Sequence, residues 1–356
     1  MSQNMLRQFE RNTTMNQFRG FQRGINLGGW FSQCDNSVET YENFIRKEDF
    51  LTISEWGLDH VRIPVDYNLV EDDEGNYKES GFAYLDRAFN WAFENGLNVV
   101  LDLHKTYGYS FDAGENEEGF FDREDYQERF YRLWEKFAGL FGKYRDRLAF
   151  ELLNEVTDEA YCETWNRVAN ECIERIRRIC PDIWILVGGY HNNSVEALKD
   201  LWMPHDEWIV YNFHCYEPLI FTHQGAYWIP TMDTGFRISI DEPYKTLRRE
   251  SDRLLGQGFD SFGDFADEDK LSSAYFDRLF GEAYRISLER DVPLYCGEYG
   301  VINLADAADT VKWYEMIHET FEKYGIGRAA WSFRKMDFGF VDEHMKDVLE
   351  DIKKLM

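Results

Sequence analysis

Apolar residues along the chain fall into two alternating patterns. Short runs are nearly continuous in apolar side chains, at 23–28 (RGINLG), 59–65 (DHVRIPV), 98–104 (NVVLDLH), 148–155 (LAFELLNE), 183–189 (IWILVGG), 208–216 (WIVYNFHCY), 293–299 (PLYCGEY) and 327–333 (GRAAWSF). Strands buried on both faces read this way. Between them lie longer stretches whose apolar residues recur three or four apart. The clearest is 122–144, with Tyr126, Phe130, Leu133, Phe137 and Phe141 on one face, and 84–96, 160–180, 272–291, 306–325 and 344–355 repeat it. Eight strands alternating with helices predict an α/β fold, a (β/α)8 TIM barrel. An open, doubly wound sheet is the competitor, but no glycine-rich phosphate loop follows the first strand.

One interval breaks the alternation. From Glu217 to Ser272 the chain is several times longer than the roughly 2–6 residues usual between a strand and its helix. The stretch 241–257 (DEPYKTLRRESDRLLGQ) is helical in pattern, so 217–272 is expected to be a small, largely helical inserted subdomain. Because it follows strand 6, it belongs on the C-terminal face of the barrel, where barrel active sites lie. No linker, repeat or low-complexity tract divides the chain, so 1–356 is expected to be a single barrel domain.

Composition narrows the partners. Acidic residues number 66 against 39 basic ones, a formal charge of -27. Such a surface repels nucleic acid and anionic lipid, and suits a neutral substrate better than a phosphorylated one. Cys34, Cys162, Cys172, Cys180, Cys215 and Cys296 show no C-x-x-C pair and no ligand spacing, so free thiols are expected, with no metal site and no cofactor. The opening residues, MSQNMLRQFERNTTMNQF, lack the apolar core of a signal peptide, and no apolar run approaches the ~18 residues of a membrane span. A cytoplasmic monomer is expected, or a secreted one if a leader has been removed.

Candidate chemistry gathers at the strand ends. The run FELLNEV (150–156) closes an apolar strand with Asn154 and Glu155, although an unpaired carboxylate in an apolar interior is costly. Strand 2 ends around Arg62, strand 3 ends at His104, strand 6 supplies His214 and Tyr216, strand 7 Glu298 and strand 8 Trp331. Singly, each has an ordinary explanation as a satisfied structural histidine or a solvated carboxylate. Together they place such groups on six of the eight strands, at one rim. Alternation puts His214 and Tyr216 on one face with Cys215 opposite, and pairs Cys296 with Glu298, leaving Cys296 as interior filling beneath it. Glu151 shares the face of Glu155 but lies deeper, and is expected to be a hydrogen-bonded structural carboxylate. Two carboxylates from different strands, facing across a cleft, are what glycoside hydrolysis requires. One protonates the departing oxygen; the other attacks or stabilises the oxocarbenium-like centre, and a gap of about 5 Å implies retention of configuration.

With these residues in place, the chain resembles glycoside hydrolase family 5, in the clan of retaining (β/α)8 glycosidases. The resemblance rests on GINLGGW, DHVRIPVDY, AFELLNEV, IVYNFHCY, FTHQGAYW and LYCGEYGVI, runs from about Gly24 to beyond Trp331, and is strongest toward the bacterial endoglucanase C type. It implies Glu155 as general acid/base and Glu298 as nucleophile. It further implies Asn154 on the sugar 2-hydroxyl, Arg62 and Tyr216 orienting and ionising Glu298, His104 and His214 touching sugar hydroxyls and the acid/base, and Trp331 as the stacking floor of the central subsite. One position departs. Many members carry a second His after the one matching His104, and Lys105 stands here, which bears on the neighbouring sugar contacts.

Two further aromatics, Trp30 at the end of strand 1 and Trp228 in the insertion, are expected as sugar platforms, because pyranose C–H faces pack on aromatic planes. His191-Asn192, after strand 5, reads as a capping loop before Ser194 in preference to a substrate contact. The expected activity is that of a retaining endo-β-1,4-glucanase on cellulose-type chains or mixed-linkage β-glucan. Mannan, xylan, glucomannan or an exo-acting β-glucosidase activity would use the same scaffold, since specificity lives in loops. A metal-dependent barrel enzyme would need clustered ligands where Arg62 and Trp331 stand, and a non-catalytic sugar-binding barrel would not need both carboxylates.

Overall fold

The computed structural model describes residues 16–112, 115 and 118–356. Eight parallel strands each pair with their sequence neighbour, and the first closes on the last. They are β1 Arg23–Asn26, β2 His60–Asp66, β3 Asn98–Lys105, β4 Leu148–Glu151, β5 Trp184–Val187, β6 Ile209–Cys215, β7 Leu294–Tyr299 and β8 Gly327–Ala330. The helices Glu79–Glu94, Glu124–Phe141, Cys162–Ile179, Ser273–Arg290 and Ala307–Tyr324 lie where the three-to-four periodicity predicts them.

Alternation along the strands divides the interior in two. Ile25, Val61, Ile63, Leu101, Phe150, Ile185 and Phe213 share one core with helix residues such as Phe89, Phe137, Trp165, Phe280 and Trp313. Residues of the other parity, Val100, Ala149, Leu186, Val210, Tyr295 and Ala329, form a separate cluster inside the barrel with Phe18 and Phe21, whose rings stack 4.2 Å apart. Two residues further along β3, β4 and β6 the interior becomes polar. Asp102, Glu151 and Asn212 are buried there with Asn26 and Arg62. This polar layer is the base on which the candidate site stands.

Four local differences matter. β4 ends at Glu151, so Asn154 and Glu155 stand on the chain leaving the strand, where the Asn154 N–H still bonds the Leu103 carbonyl at 3.1 Å. Two short helices, Val38–Asn43 and Lys47–Glu55, fill the first crossover, where the pattern predicts none. The fifth crossover holds only a short turn, Tyr190–Asn193, and the 3-10 helix Val195–Asp200. The expected helix at 344–355 is reduced to Glu343–Met345 and Leu349–Ile352.

The insertion contains the helices Leu219–Thr222 and Tyr244–Leu254, joined by irregular chain. It is firmly attached. The buried Asp260 carboxylate accepts from the backbone N–H groups of Leu219 and Ile220 at 2.7 and 3.0 Å. Ser239 and the Ile240 N–H donate to Asp309 at 2.6 and 3.1 Å, and the Trp313 indole donates to the Glu217 carbonyl at 3.0 Å. All six cysteines are free thiols. Among the described residues, no helix is long and apolar enough to cross a membrane.

Candidate active site

Arg62 of β2, fully buried, organises the polar layer. Its guanidinium donates to Glu151 through Nε and Nη2 at 2.7 and 2.8 Å, to Asn26 at 2.9 Å, to Asn154 Oδ1 at 2.8 Å and to Glu298 Oε1 at 2.7 Å. It also lies 3.0 Å from Asp102. Only the planar fork of an arginine serves so many acceptors from one position. Burial works against its charge, yet Asp102, Glu151 and Glu298 hold its pKa well above the usual value. Glu151 also accepts from Asn212 at 2.7 Å, so it is the bonded structural carboxylate expected from its place in the strand. Burial pushes Asp102 up to about 7, with Arg62 opposing.

Glu298 owes its direction to a slip in register. Phe213 pairs with Cys296, but His214 pairs with Glu298, so β7 carries one extra residue, Gly297. A Cβ on Gly297 would meet Asn212 at 2.7 Å and His214 at 3.0 Å, so the close approach requires glycine. The bulge resets the alternation beyond it. Glu298 therefore turns toward Arg62, whereas Cys296 packs with Phe213 and Cys215 in the layer between strands and helices. Strict alternation placed Cys296 inside the barrel beneath Glu298, and the bulge is why it is not there. The second oxygen of Glu298 accepts from the Tyr216 hydroxyl at 2.8 Å. Burial pushes this carboxyl up to about 7, against the lowering effects of Arg62 and Tyr216.

Glu155 follows β4 with a left-handed backbone, φ 44°, and its carbonyl accepts from the Tyr109 hydroxyl at 2.7 Å. His214 Nδ1 lies 2.8 Å from Oε1, and the Asn192 amide donates to Oε2 at 3.1 Å. His214 Nε2 faces the Asn193 amide nitrogen at 3.4 Å, a donor, so the ring is assigned its proton on Nδ1, where it donates to Glu155. Burial brings His214 down to about 4, which keeps the ring neutral.

Burial also pushes Glu155 up to about 7. The two carboxyls are thus alike in proton affinity, and their neighbours separate them. Glu298 touches a guanidinium and a phenol, whereas the groups in contact with Glu155 are neutral. The charge therefore belongs on Glu298 and the proton on Glu155. One oxygen of each and His214 Nδ1 lie within 4.8 Å of one another. The same three side chains have metal-ligand spacing, but Arg62 already supplies positive charge at Glu298.

The remaining predicted residues divide. His104 Nδ1 bonds Asp102 at 2.5 Å, and its ring lies parallel to Trp331 at 5.9 Å. Lys105 is buried and forms ion pairs with Asp112 at 2.6 Å and Glu115 at 2.8 Å, so its charge is spent on the loop after β3. Trp228 is 37% exposed, with its ring edge-on to His223 at 5.9 Å, and His223 packs edge-on to Tyr216 at 5.1 Å. Trp30 must be corrected. It is fully buried, stacks on Phe31 at 3.9 Å and donates its indole N–H to the Tyr41 carbonyl at 3.0 Å, so it offers no face to a sugar. β1 ends well before it, and the following chain carries it beneath the first crossover, against Phe50.

Three contributors escaped the sequence reading. Asn26 accepts from Arg62 and donates to the Gly297 carbonyl at 2.9 Å, and Asp102 anchors His104. Both are polar residues inside buried runs, a signal available in INLG and VLDLH. Asn192 is the third. Ser194 does cap the following turn, through the Ala197 N–H, but Asn192 also reaches Glu155.

Comparison with known proteins places this arrangement. The family model described as cellulase (glycosyl hydrolase family 5) matches residues 16–337. The chain is 45% identical over 322 residues to cellodextrinase A of Ruminococcus flavefaciens, across 90% of this chain and 88% of that protein. It is 36% identical over 340 residues to endoglucanase C of Acetivibrio thermocellus, across 94% and 98%. Among solved structures, endoglucanase Cel5A of Thermotoga maritima matches with a TM-score of 0.74 at 28% identity, over 98% of each chain.

Proposed function

The chain belongs to glycosyl hydrolase family 5, and on that premise we propose how its carboxylates divide the cleavage of a β-1,4-glucan. The enzyme is an O-glycosyl hydrolase of the endo-β-1,4-glucanase type, acting with retention. Glu298, ionised beside Arg62 and Tyr216, attacks the anomeric carbon while Glu155 gives its proton to the departing oxygen. The C–O bond breaks and a glycosyl ester forms on Glu298. Esterification removes the negative charge of Glu298, which had favoured the protonated form of Glu155. Glu155 now ionises more readily, takes a proton from the water that attacks the ester, and is reset as an acid. Asn154 has its oxygen fixed by Arg62, while its amide nitrogen is buried without a partner. A sugar 2-hydroxyl accepting from that nitrogen would relieve the cost of the unpaired donor. Trp331, parallel to His104, offers the floor for the same sugar ring.

The observation that carries this reading is the spacing within 4.8 Å of two unlike carboxyls. Retaining enzymes hold theirs about 5–5.5 Å apart, and inverting ones about 6.5–9.5 Å. A 2-deoxy-2-fluoro-cellobioside with a good leaving group should accumulate an ester on Glu298, readable as a mass shift on the peptide containing it. The first product seen by NMR should carry the β configuration. An adduct on another residue, or an α product appearing first, would sink the assignment.

Relatives named cellodextrinase and endoglucanase support β-1,4-glucan oligomers and chains as substrates. The Thermotoga maritima enzyme has been solved with cellobiose and with mannotriose, which keeps mannan as the second reading. We place Trp228 at a sugar beyond the cleavage point, because its half-exposed ring continues the aromatic series Tyr216, His223, Trp228 away from Glu298. Trp228→Ala should lower kcat/KM on cellopentaose about five- to tenfold, the worth of one aromatic contact, and leave a short aryl cellobioside nearly unchanged. Equal losses on both would assign Trp228 to the fold.

A further inference from the structure

We propose that Asn192 is a positioning residue for the acid/base, with the loop after β5 locking the Glu155 carboxyl in the orientation that delivers its proton. The proposal rests on the reading of Glu155 given above. Its basis is a backbone anomaly joined to two contacts. His191, Asn192 and Asn193 are successively left-handed, with φ of 49°, 57° and 56°. Asparagine takes that conformation more readily than most side chains but ordinarily as a single residue, and a run of three that includes His191 persists only where the surroundings dictate it. Here the Asn192 N–H bonds the Val156 carbonyl at 3.0 Å, next to Glu155 in sequence, and the Ser194 N–H bonds Tyr190 at 3.1 Å. The strained turn brings both asparagine amides to the same pair of groups. Asn192 donates to Glu155 Oε2, and Asn193 faces the ring nitrogen of His214 whose other nitrogen holds Glu155 Oε1.

With one oxygen held by His214 and the other by Asn192, the carboxyl cannot rotate about its last bond. Asn192 is itself exposed, so its amide contributes little to the core. Other groups also face Glu155: His214 on β6 and Tyr216 just after it, Glu298 on β7, Arg62 on β2, Asp102 on β3, Glu151 on β4, and Tyr109 and Asp112 from the loop after β3. Among these contacts the Asn192 hydrogen bond favours the ionised carboxylate, so its loss should raise the pH at which the acid is spent.

Asn192→Gly tests this, because glycine takes the left-handed backbone freely and only the amide is lost. The readout is kcat/KM on two cellobiosides, one with a methylumbelliferyl group that needs protonation and one with a dinitrophenyl group that leaves unaided. We expect a fall of about tenfold on the first and less than about twofold on the second, with an unchanged melting temperature. The alkaline limb of the first substrate's pH profile should move to higher pH. Equal losses on both substrates, or an unmoved limb, would overturn the proposal. Glu155→Gln is measured alongside. If it too falls equally on both substrates, the failure lies with Glu155 as acid/base and not with Asn192.

Discussion

Glu298→Ala is expected to lose turnover by a factor on the order of 10⁴ or more, with no loss of folding stability at pH 8. Without this carboxylate no ester forms, because the other carboxylates around Arg62, Asp102 and Glu151, lie deeper and are engaged. The space left open admits azide, which should restore part of the rate on a dinitrophenyl cellobioside and yield the α-glycosyl azide. Glu155→Ala should behave differently, with azide giving the β-glycosyl azide from an enzyme already esterified at Glu298. The stability side follows from linkage. Glu298 has its folded pKa pushed up to about 7, above the ordinary 4.5. A carboxyl raised in this way contributes its stability below the ordinary pKa and loses it as pH rises through about 7. Removing it therefore costs nothing at pH 8, and Arg62 keeps two buried partners. Melting curves at pH 5 and pH 8 check this. A drop of several degrees at both values would make Glu298 a structural residue.

Arg62→Met should abolish activity and destabilise the fold by about 3–5 kcal/mol, the usual consequence of removing one partner from a buried ionic group. It strands Asp102, Glu151 and Glu298 together and frees the oxygen of Asn154. The sign of the pH dependence identifies the cause. Asp102 and Glu298 stand near 7 even with the guanidinium in place. Without it they rise further and stay protonated in acid, so the deficit should be smallest near pH 5 and widen toward pH 8. Arg62→Lys, which restores charge without the fork, should fall between. A deficit independent of pH would mean that the side chain matters for its volume alone.

The barrel was legible because strands buried on both faces are nearly continuous in apolar residues and the helices between them keep their period. The short first helices were not, since a polar stretch such as Lys47–Glu55 carries little periodic signal. In the site, strand ends brought Asn154, Glu155, His214, Tyr216 and Glu298 together, whereas Arg62, expected at the end of β2, lies well inside that strand and reaches Asn154 and Glu298 from the layer below. Alternation failed at Cys296, because a one-residue slip leaves composition unchanged while exchanging faces. Trp30 failed for a related reason. Its place after a strand does not determine whether the chain then turns toward the cleft or under the helices. Asn192 lay beyond both kinds of reading, since its reach depends on backbone angles that periodicity does not encode.

Gly297 ties these observations together in a way that bears on how such an enzyme changes over time. One missing side chain both turns Glu298 inward and leaves room for the ring that holds Glu155. A mutant library in which the loops and the 217–272 arm are randomised can shift the preferred sugar or chain length without touching that position. At Gly297 itself every other amino acid meets Asn212 or His214 and disturbs the surroundings of both Glu155 and Glu298 at once. Substrate range is therefore free to drift while the distance between Glu155 and Glu298 stays inherited.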